Sequence, residues 1–192
     1  LFPDDKAFTI LKARLLIKQK KVSKARDVFQ SLVNLHPRDS HILLPLALTQ
    51  LELQDLDAAQ ASLEKLLALG AMADEAHYYL GRIAQVKEDP EKSLQHYLAM
   101  RGGREYLAAQ SGVVQVYLKM GQTDKALHHI QKQREQDIQN SQAYFLMEVE
   151  LLNRTGQYEA SLEVLNDALK SYNNNTDLRY SRAMVAEKLG DI

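Results

Sequence analysis

The chain has 192 residues, of which 45% are hydrophobic and 26% charged, a composition ordinary for a soluble folded protein. It contains no cysteine, which excludes disulfides, thiolate catalysis and cysteine-ligated zinc. No apolar run approaches the ~18–20 residues that span a membrane. Because no signal peptide or initiating methionine opens the chain, we expect it to be a piece cut from a longer protein.

The formal net charge of −1 is spread unevenly along the chain. Residues 6–39 carry nine Lys or Arg against two Asp, a net charge of +7, whereas residues 40–192 sum to −6. One interpretation is a solvated surface without a specific partner. The alternative is a basic patch that steers an acidic partner toward the chain.

An internal repeat with a period of about 34 residues organises the sequence. Small residues recur with spacings of 34, 34, 33 and 35 at Ala25, Ala59, Ser93, Ala126 and Ser161. Four residues after each stands a large apolar one, in order Phe29, Leu63, Tyr97, Ile130 and Leu165. Twelve residues before each stands a mostly small one, in order Ala13, Ala47, Gly81, Val114 and Val149, with Ala183 as a sixth member. This pattern predicts close helix pairs, with the large side chains filling the space between neighbouring pairs.

The predicted helix pairs follow one another along the chain. They occupy the intervals 6–39, 40–73, 74–106, 107–141 and 142–175, and residues 176–192 supply the first helix of a sixth pair. Within the first interval, the spacing Ile10-Ala13-Leu16-Ile17 is helical. Glycines at 121, 156 and 190 are suited to a left-handed residue at a helix C-terminus. Pro90 suits the first turn of a helix, whereas Pro45 should kink or delay the helix that contains it.

The 34-residue helix–turn–helix period resembles the tetratricopeptide repeat. In "HYYLGRIAQVKEDPEKSLQHY" (77–97), Leu80-Gly81 and Tyr97 stand where that family has Leu-Gly and a large aromatic residue. In "ARDVFQSLVNLHP" (25–37), Ala25, Phe29 and Pro37 match the family's Ala, Phe and closing Pro. The resemblance implies an all-α fold, a right-handed superhelical solenoid of stacked antiparallel helix pairs with about five repeats and one extra helix.

The sequence also departs from the family pattern. Lys12, Glu148 and Arg182 stand where the family has a packed leucine, and we expect their charged groups to reach water. The segment "LHHIQKQREQDIQ" (127–139) is unusually polar, with Gln133 at a normally small position, which predicts a loosely packed helix.

Two stretches are similar to a narrower group. "HYLAMRGGREYLAAQSGVVQVYLKMG" (96–121) and "DLRYSRAMVAEKLGD" (177–191) resemble long tetratricopeptide proteins of the bacterial cell envelope. Some of these are outer-membrane lipoproteins, and one type is an adaptor for a carboxyl-terminal-processing protease. The resemblance implies a periplasmic or outer-membrane-anchored protein, with a cytoplasmic location as the alternative.

In the family, the first helix of each pair lines a concave groove. The positions that face this groove fall here on a mixed set of basic, acidic, amide and aromatic side chains. They include Arg14, Lys18, His41, Tyr78, Arg82, Gln115, Lys119, Glu150, Asn153, Arg154 and Tyr180. Aromatic residues supply contact area and arginines bind carboxylates or carbonyls, so we expect a protein or peptide partner.

The stretch "GQTDKALHHIQ" (121–131) suggests a metal site, because Asp124, His128 and His129 lie close together in sequence. However, the two histidines project ~100° apart around a helix. His96 also occupies the repeat position of His129, which indicates an exposed filling of the repeat. No nucleotide-binding, hydrolase or metalloprotease motif is present. We therefore predict no catalytic, metal or cofactor site.

The leading hypothesis is a non-catalytic scaffold that binds a protein or peptide in its groove. One alternative is self-assembly, including a homodimer formed through the cut ends, where Phe8, Leu11 and Leu15 are apolar. Another is the regulatory arm of an enzyme whose catalytic domain lies elsewhere. Nucleic acid is not expected as a partner, because the net charge is near zero and the basic residues are confined to one repeat. Direct membrane insertion by this chain is not expected either.

Overall fold

The computed structural model describes residues 6–190, and this part of the chain contains helices and loops but no β-strand. Its α-helices are α1 (Lys6–Lys18), α2 (Val22–Leu35), α3 (Ser40–Glu52), α4 (Leu56–Ala68), α5 (Ala73–Val86), α6 (Pro90–Ala99), α7 (Tyr106–Lys119), α8 (Thr123–Gln136), α9 (Ser141–Arg154), α10 (Tyr158–Ser171) and α11 (Thr176–Leu189). A short 3-10 helix, Ile138–Asn140, precedes α9. The all-α class predicted from the sequence is confirmed.

The helices form two compact units whose boundary falls within α7, between Ala109 and Gln110. In the first unit α1 packs on α2, α3 on α4 and α5 on α6, and each pair also contacts the next. In the second unit α8 packs on α9, α9 on α10 and α10 on α11. Consecutive helices are therefore neighbours in space within each unit, as expected for stacked helix pairs.

The repeated small residues are the positions where helices meet most closely. All five members of the set that begins with Ala25 and ends with Ser161 are fully buried. The large residues that follow them by four positions are also buried, with exposed fractions of 0–2%. Ala183, the last member of the other small set, is exposed. The repeat pattern therefore marks the packed residues of the helix pairs, as predicted.

Gly81 shows how close one pair is. A Cβ added to Gly81 would lie 2.6 Å from two carbons of the Tyr97 ring. That ring is buried, and its hydroxyl donates a hydrogen bond of 2.7 Å to Gln85 Oε1. The Ser93 hydroxyl donates to the Gly81 carbonyl at 3.0 Å. Contacts from α6 thus hold it against α5 where Gly81 has no side chain.

Gly81→Ala is expected to destabilise the first unit by about 1–2 kcal/mol. Alanine gains about 1 kcal/mol of helix propensity over glycine, but the clash with a held ring costs about 1–3 kcal/mol. Urea unfolding followed by circular dichroism measures the difference. Gly102→Ala is the control, because a Cβ at Gly102 meets no atom within 4 Å. Equal stability of the two variants would contradict the proposed clash.

The turn that ends each first helix contains one residue with positive φ. These residues are Lys20, Gln54, Glu88, Gly121, Gly156 and Gly190, with φ between 57° and 78°. The predicted left-handed glycines are confirmed, but the same conformation in the first three repeats is adopted by residues that carry a Cβ. The turn geometry is therefore set by the repeat, because only glycine favours this conformation intrinsically.

Helix α3 begins at Ser40 and continues through Pro45, so the expectation that Pro45 delays the helix is wrong. Its first turn is capped by Asp39, whose carboxylate accepts a hydrogen bond from the His41 backbone N–H at 3.0 Å. Lys6 also donates to Asp39, and this bond lowers the pKa of the Asp39 carboxyl. A good cap and the packing of α3 on α2 and α4 compensate for the missing proline donor.

Glu148 does not reach water, so that expectation is also wrong. Its exposed fraction is 1%, and its carboxylate accepts bonds from Arg134 at 2.5 Å and Gln131 at 2.8 Å. The Arg134 guanidinium also lies 4.4 Å from the Phe145 ring centroid. Helix α8 is therefore tied to α9 by a buried ion pair, and its polar sequence does not indicate loose packing. Lys12 and Arg182 are exposed as expected.

Candidate functional site

The first unit contains a cavity of about 420 Å³ between α3, α5 and the loop that follows α6. Apolar contributions to its wall come from Leu44 and Leu48 of α3, Tyr79 of α5 and Met100 at the end of α6. Leu44 occupies a groove-facing position of the repeat, so this cavity belongs to the surface that the family resemblance singled out. We call it the α3–α5 cavity.

Charged residues also line the α3–α5 cavity, and most of them are acidic. Asp74, Glu75 and Glu105 contribute carboxylates, against one guanidinium from Arg104. Asp74 has a structural task, because it accepts a hydrogen bond of 2.8 Å from the Arg101 backbone N–H and so fixes the loop. Gly103 turns that loop with φ +89°, consistent with the predicted turn at Gly102-Gly103. The cavity therefore combines apolar wall with net negative charge.

Two smaller cavities contain predicted groove residues. In the second unit, Gln115, Glu150 and Arg154 line a cavity of about 90 Å³, together with Ser111 and Met147. In the first unit, Arg82 lines a cavity of about 110 Å³ with Tyr79 and Val86. The structure thus brings three of the predicted groove residues together on α7 and α9.

The remaining predicted groove residues are accessible but do not line these cavities. Arg14, Lys18, His41, Lys119 and Tyr180 are exposed on the surface. Tyr78 and Asn153 are partly buried. The Tyr78 ring lies 5.1 Å from that of Tyr79 and 5.9 Å from the Arg82 guanidinium, and Asn153 Oδ1 is buried without a hydrogen-bond partner. None of these residues has a tested role in binding.

Sequence reasoning missed most of the residues that form the α3–α5 cavity. Glu75 lies 34 residues after the predicted groove residue His41, so the repeat period alone was enough to find it. Tyr79 occupies a position that the family pattern does not assign to the groove. The loop residues from Met100 to Glu105 lie outside the helices, where no periodicity constrains them.

The expectation that His129 is exposed is wrong. Its side chain is buried on α8, and Nε2 donates a hydrogen bond of 2.8 Å to Gln110 Oε1 of α7. His128 next to it is exposed. The two side chains therefore diverge, as their helical spacing predicted, and no metal-binding group of three or more His, Cys, Asp or Glu exists among residues 6–190.

Burial governs the protonation of three histidines. Removal from water lowers the pKa of His129 to about 4, and the charges of Lys132 and His128 lower it further. Burial also lowers the pKa values of His77 and His96. The buried imidazoles are therefore neutral at pH 7.

Acidification is expected to destabilise the second unit through His129. A histidine with an ordinary pKa near 6.5 when unfolded and near 4 when folded binds a proton more readily in the unfolded chain. Its contribution to stability is complete above pH 6.5 and is lost as pH falls toward 4. At pH 5 the loss is about 2 kcal/mol.

Urea unfolding of the protein and of His129→Gln at pH 7.5 and pH 5 tests this expectation. Glutamine has no titratable proton, so the variant should lose about 2 kcal/mol less than the parent between the two pH values. His128→Gln is the matched control and should keep the full pH dependence. An identical pH dependence in all three proteins would contradict a depressed pKa at His129.

The comparisons with known proteins agree with this architecture. Models of the tetratricopeptide repeat match residues 10–39 and residues 44–108. A TPR repeat-containing protein of Pseudomonas aeruginosa is 34% identical over 119 residues, which are 62% of this chain and 20% of that protein. The chain is thus a tetratricopeptide-repeat protein, and the part matched is about a fifth of that relative's length.

Solved structures show the same fold. The crystal structure of MamA protein matches with a TM-score of 0.66 and 18% identity, over 85% of this chain and 90% of MamA. Pseudomonas aeruginosa PilF matches with a TM-score of 0.67 and 14% identity, over 96% and 84%. YrrB, described as a TPR protein with an unusual peptide-binding site, has a TM-score of 0.55 and 18% identity, over 85% and 84%. At these identities the likeness concerns the fold alone.

None of the helices within residues 6–190 combines the length and apolar character needed to cross a membrane.

Proposed function

We propose that the chain is a non-catalytic scaffold that binds an extended segment of a partner protein along its groove-facing surface. The observation that carries this proposal is the α3–α5 cavity, which lies at groove positions of two successive repeats. A family relative in fold, YrrB, is described as having a peptide-binding site, which supports the same class of function.

The chemistry of the α3–α5 cavity favours one kind of segment. Leu44, Leu48 and Met100 offer apolar contacts to one inserted side chain, which loses unfavourable contact with water on burial. Glu75 and Glu105 then favour basic residues on either side of that anchor. We therefore propose a partner segment with a large apolar residue flanked by lysine or arginine.

Fluorescence anisotropy with labelled peptides tests the proposal. A peptide with one phenylalanine between two pairs of lysines is compared with one in which the phenylalanine is alanine, and with one in which the lysines are glutamates. We expect the first peptide to bind at least tenfold more tightly than either of the others. Equal affinity for all three would refute the assignment.

Charge reversal locates the binding surface. Glu75→Lys should weaken binding of the basic peptide and strengthen binding of the acidic one, because Glu75 is exposed at the cavity. Glu135→Lys makes the same change on the exposed face of α8 and should leave both affinities unchanged. Equal effects of the two variants would indicate a nonspecific response to net charge.

The finer proposal is an adaptor in a bacterial envelope complex. It is supported by the resemblance of residues 96–121 and 177–191 to envelope tetratricopeptide proteins and by the similarity to a P. aeruginosa protein. Photo-crosslinking from position 79 in bacterial cells, followed by fractionation, tests both partner and compartment. A crosslinked partner confined to the cytoplasm would overturn the envelope assignment.

Self-association is the second candidate, because α1 exposes large apolar side chains. Leu11 and Leu15 have exposed fractions of 63% and 54%, and exposed apolar stripes favour contact with another surface. Sedimentation velocity of the protein and of Leu11→Glu separates the candidates. A dimer lost in Leu11→Glu favours self-association, whereas a monomer in both cases leaves the scaffold proposal alone.

A further inference from the structure

A pair of histidines joins α5 to α6 in the first unit. His77 Nδ1 lies 3.1 Å from His96 Nδ1, and the ring centroids are 5.4 Å apart with an interplanar angle of 42°. Both side chains are half-buried and lie on packed helices. Their close approach is therefore a property of the helix pair and not of a mobile loop.

The geometry points to a metal-binding site: we propose that His77 and His96 chelate a divalent transition-metal ion such as Zn²⁺, Ni²⁺ or Cu²⁺ through their Nδ1 atoms. Two imidazole nitrogens that each lie ~2.0–2.1 Å from a tetrahedral ion are about 3.3 Å apart. The observed 3.1 Å differs from this by an amount that a small ring rotation supplies. Imidazole nitrogen is a preferred ligand of these ions.

The hydrogen bond seen between the rings is compatible with this role. In the metal-free pair one Nδ1 carries a proton and donates it to the lone pair of the other. Metal binding requires the donor ring to carry its proton on Nε2 instead, so that both Nδ1 lone pairs face the ion. The exchange between tautomers leaves the total number of protons on two neutral rings unchanged.

The surrounding charges leave the remaining coordination positions to solvent or to an added ligand. Within the described residues no third His, Cys, Asp or Glu completes a metal-binding group. Asp74 and Glu64 are the carboxylates whose charges act on the two rings, and Lys92 is the nearby cation. Asp74 accepts from the Arg101 backbone, and Glu64 accepts from Gln60 at 2.7 Å. The site is therefore a two-ligand chelate with open positions.

The next repeat provides an internal comparison. Gln110 and His129 lie 33 residues after His77 and His96, and they form a hydrogen bond of 2.8 Å between the same two helix positions. An amide can replace the imidazole in the packing but is a poor ligand for these ions. His77→Gln therefore converts the first pair into the second, preserving a hydrogen bond while removing one chelating nitrogen.

Calorimetric titration of untagged protein with ZnCl₂ tests the proposal, with circular dichroism to verify that each variant is folded. We expect one ion per chain, and an apparent dissociation constant raised at least tenfold in His77→Gln and in His96→Gln. His128→Gln removes an exposed imidazole and should bind as the parent does. Absence of binding in the parent, or binding unchanged in both chelate variants, would overturn the proposal.

Electron paramagnetic resonance of the Cu²⁺-loaded protein provides a second readout. The parent should show hyperfine splitting from two equivalent imidazole nitrogens, and His77→Gln from one at most. A spectrum without nitrogen coupling in the parent would also overturn the proposal, whatever the calorimetric affinity. The same spectrum in parent and His77→Gln would place the ion elsewhere in the chain.

Discussion

Phe29→Ala is expected to lower the free energy of unfolding of the first unit by about 3–5 kcal/mol. Phe29 is fully buried on α2, in the core cluster that also contains Ala13 of α1 and Ile42 and Leu46 of α3. Truncation to alanine removes contacts with two neighbouring helices and leaves a cavity. Because the small residues already hold the helices close together, the backbone has little room to collapse into that cavity.

Urea unfolding measures this loss, and Phe8→Ala is the matched control. Phe8 lies on α1 with an exposed fraction of 57%. The same chemical change there should cost about 0.5 kcal/mol, the range usual for surface substitutions. If the two variants were equally stable, the repeat positions would not be the packing positions assigned to them.

Glu148→Ala is expected to destabilise the second unit by about 3–5 kcal/mol, since removing one partner of a buried ion pair leaves the other charge uncompensated. The Arg134 side chain is only 22% exposed and donates to the Glu148 carboxylate. Gln131 would lose its acceptor as well. Salt should screen this pair weakly, because it is shielded from solvent.

A double-mutant cycle isolates the pair. Glu148→Leu restores the residue type usual in the family at this position, and with Arg134→Met it replaces the ion pair by apolar side chains. The double variant should be about as stable as the parent or more so, whereas each single variant is destabilised. Asp167→Ala, which breaks the exposed pair of Asp167 with Lys170, should cost about 0–1 kcal/mol. Additive effects of the two buried substitutions would contradict the assigned coupling.

The two buried pairs explain why the polar sequence of α8 does not produce a loose helix. His129 donates to Gln110 of α7, and Arg134 donates to Glu148 of α9. Each polar side chain that α8 presents to a neighbour thus meets a group of suitable chemistry. An apolar repeat position and a satisfied polar pair are two solutions to the same packing requirement.

The sequence by itself determined the helix pairs, their order and most of the core. Its period of about 34 residues identifies Ala25 and Ala59 as buried, because the small residue needed for close approach must recur wherever the repeat recurs. The glycine at 121 likewise identifies a helix end, since a left-handed turn favours that residue. These are local or periodic requirements, and both are visible in a linear sequence.

Only the tertiary structure decided which polar residues meet. Glu148 lies 14 residues from Arg134, and His96 lies 19 residues from His77, so each pair joins two helices. A helical window shows none of these partners, and a charged residue is ordinarily assigned to the surface because unpaired charges are costly to bury. The α3–α5 cavity likewise depends on a loop that the repeat does not constrain. Whether a polar side chain is buried, paired or exposed to a ligand depends on what lies opposite it, and that is fixed when the helices pack.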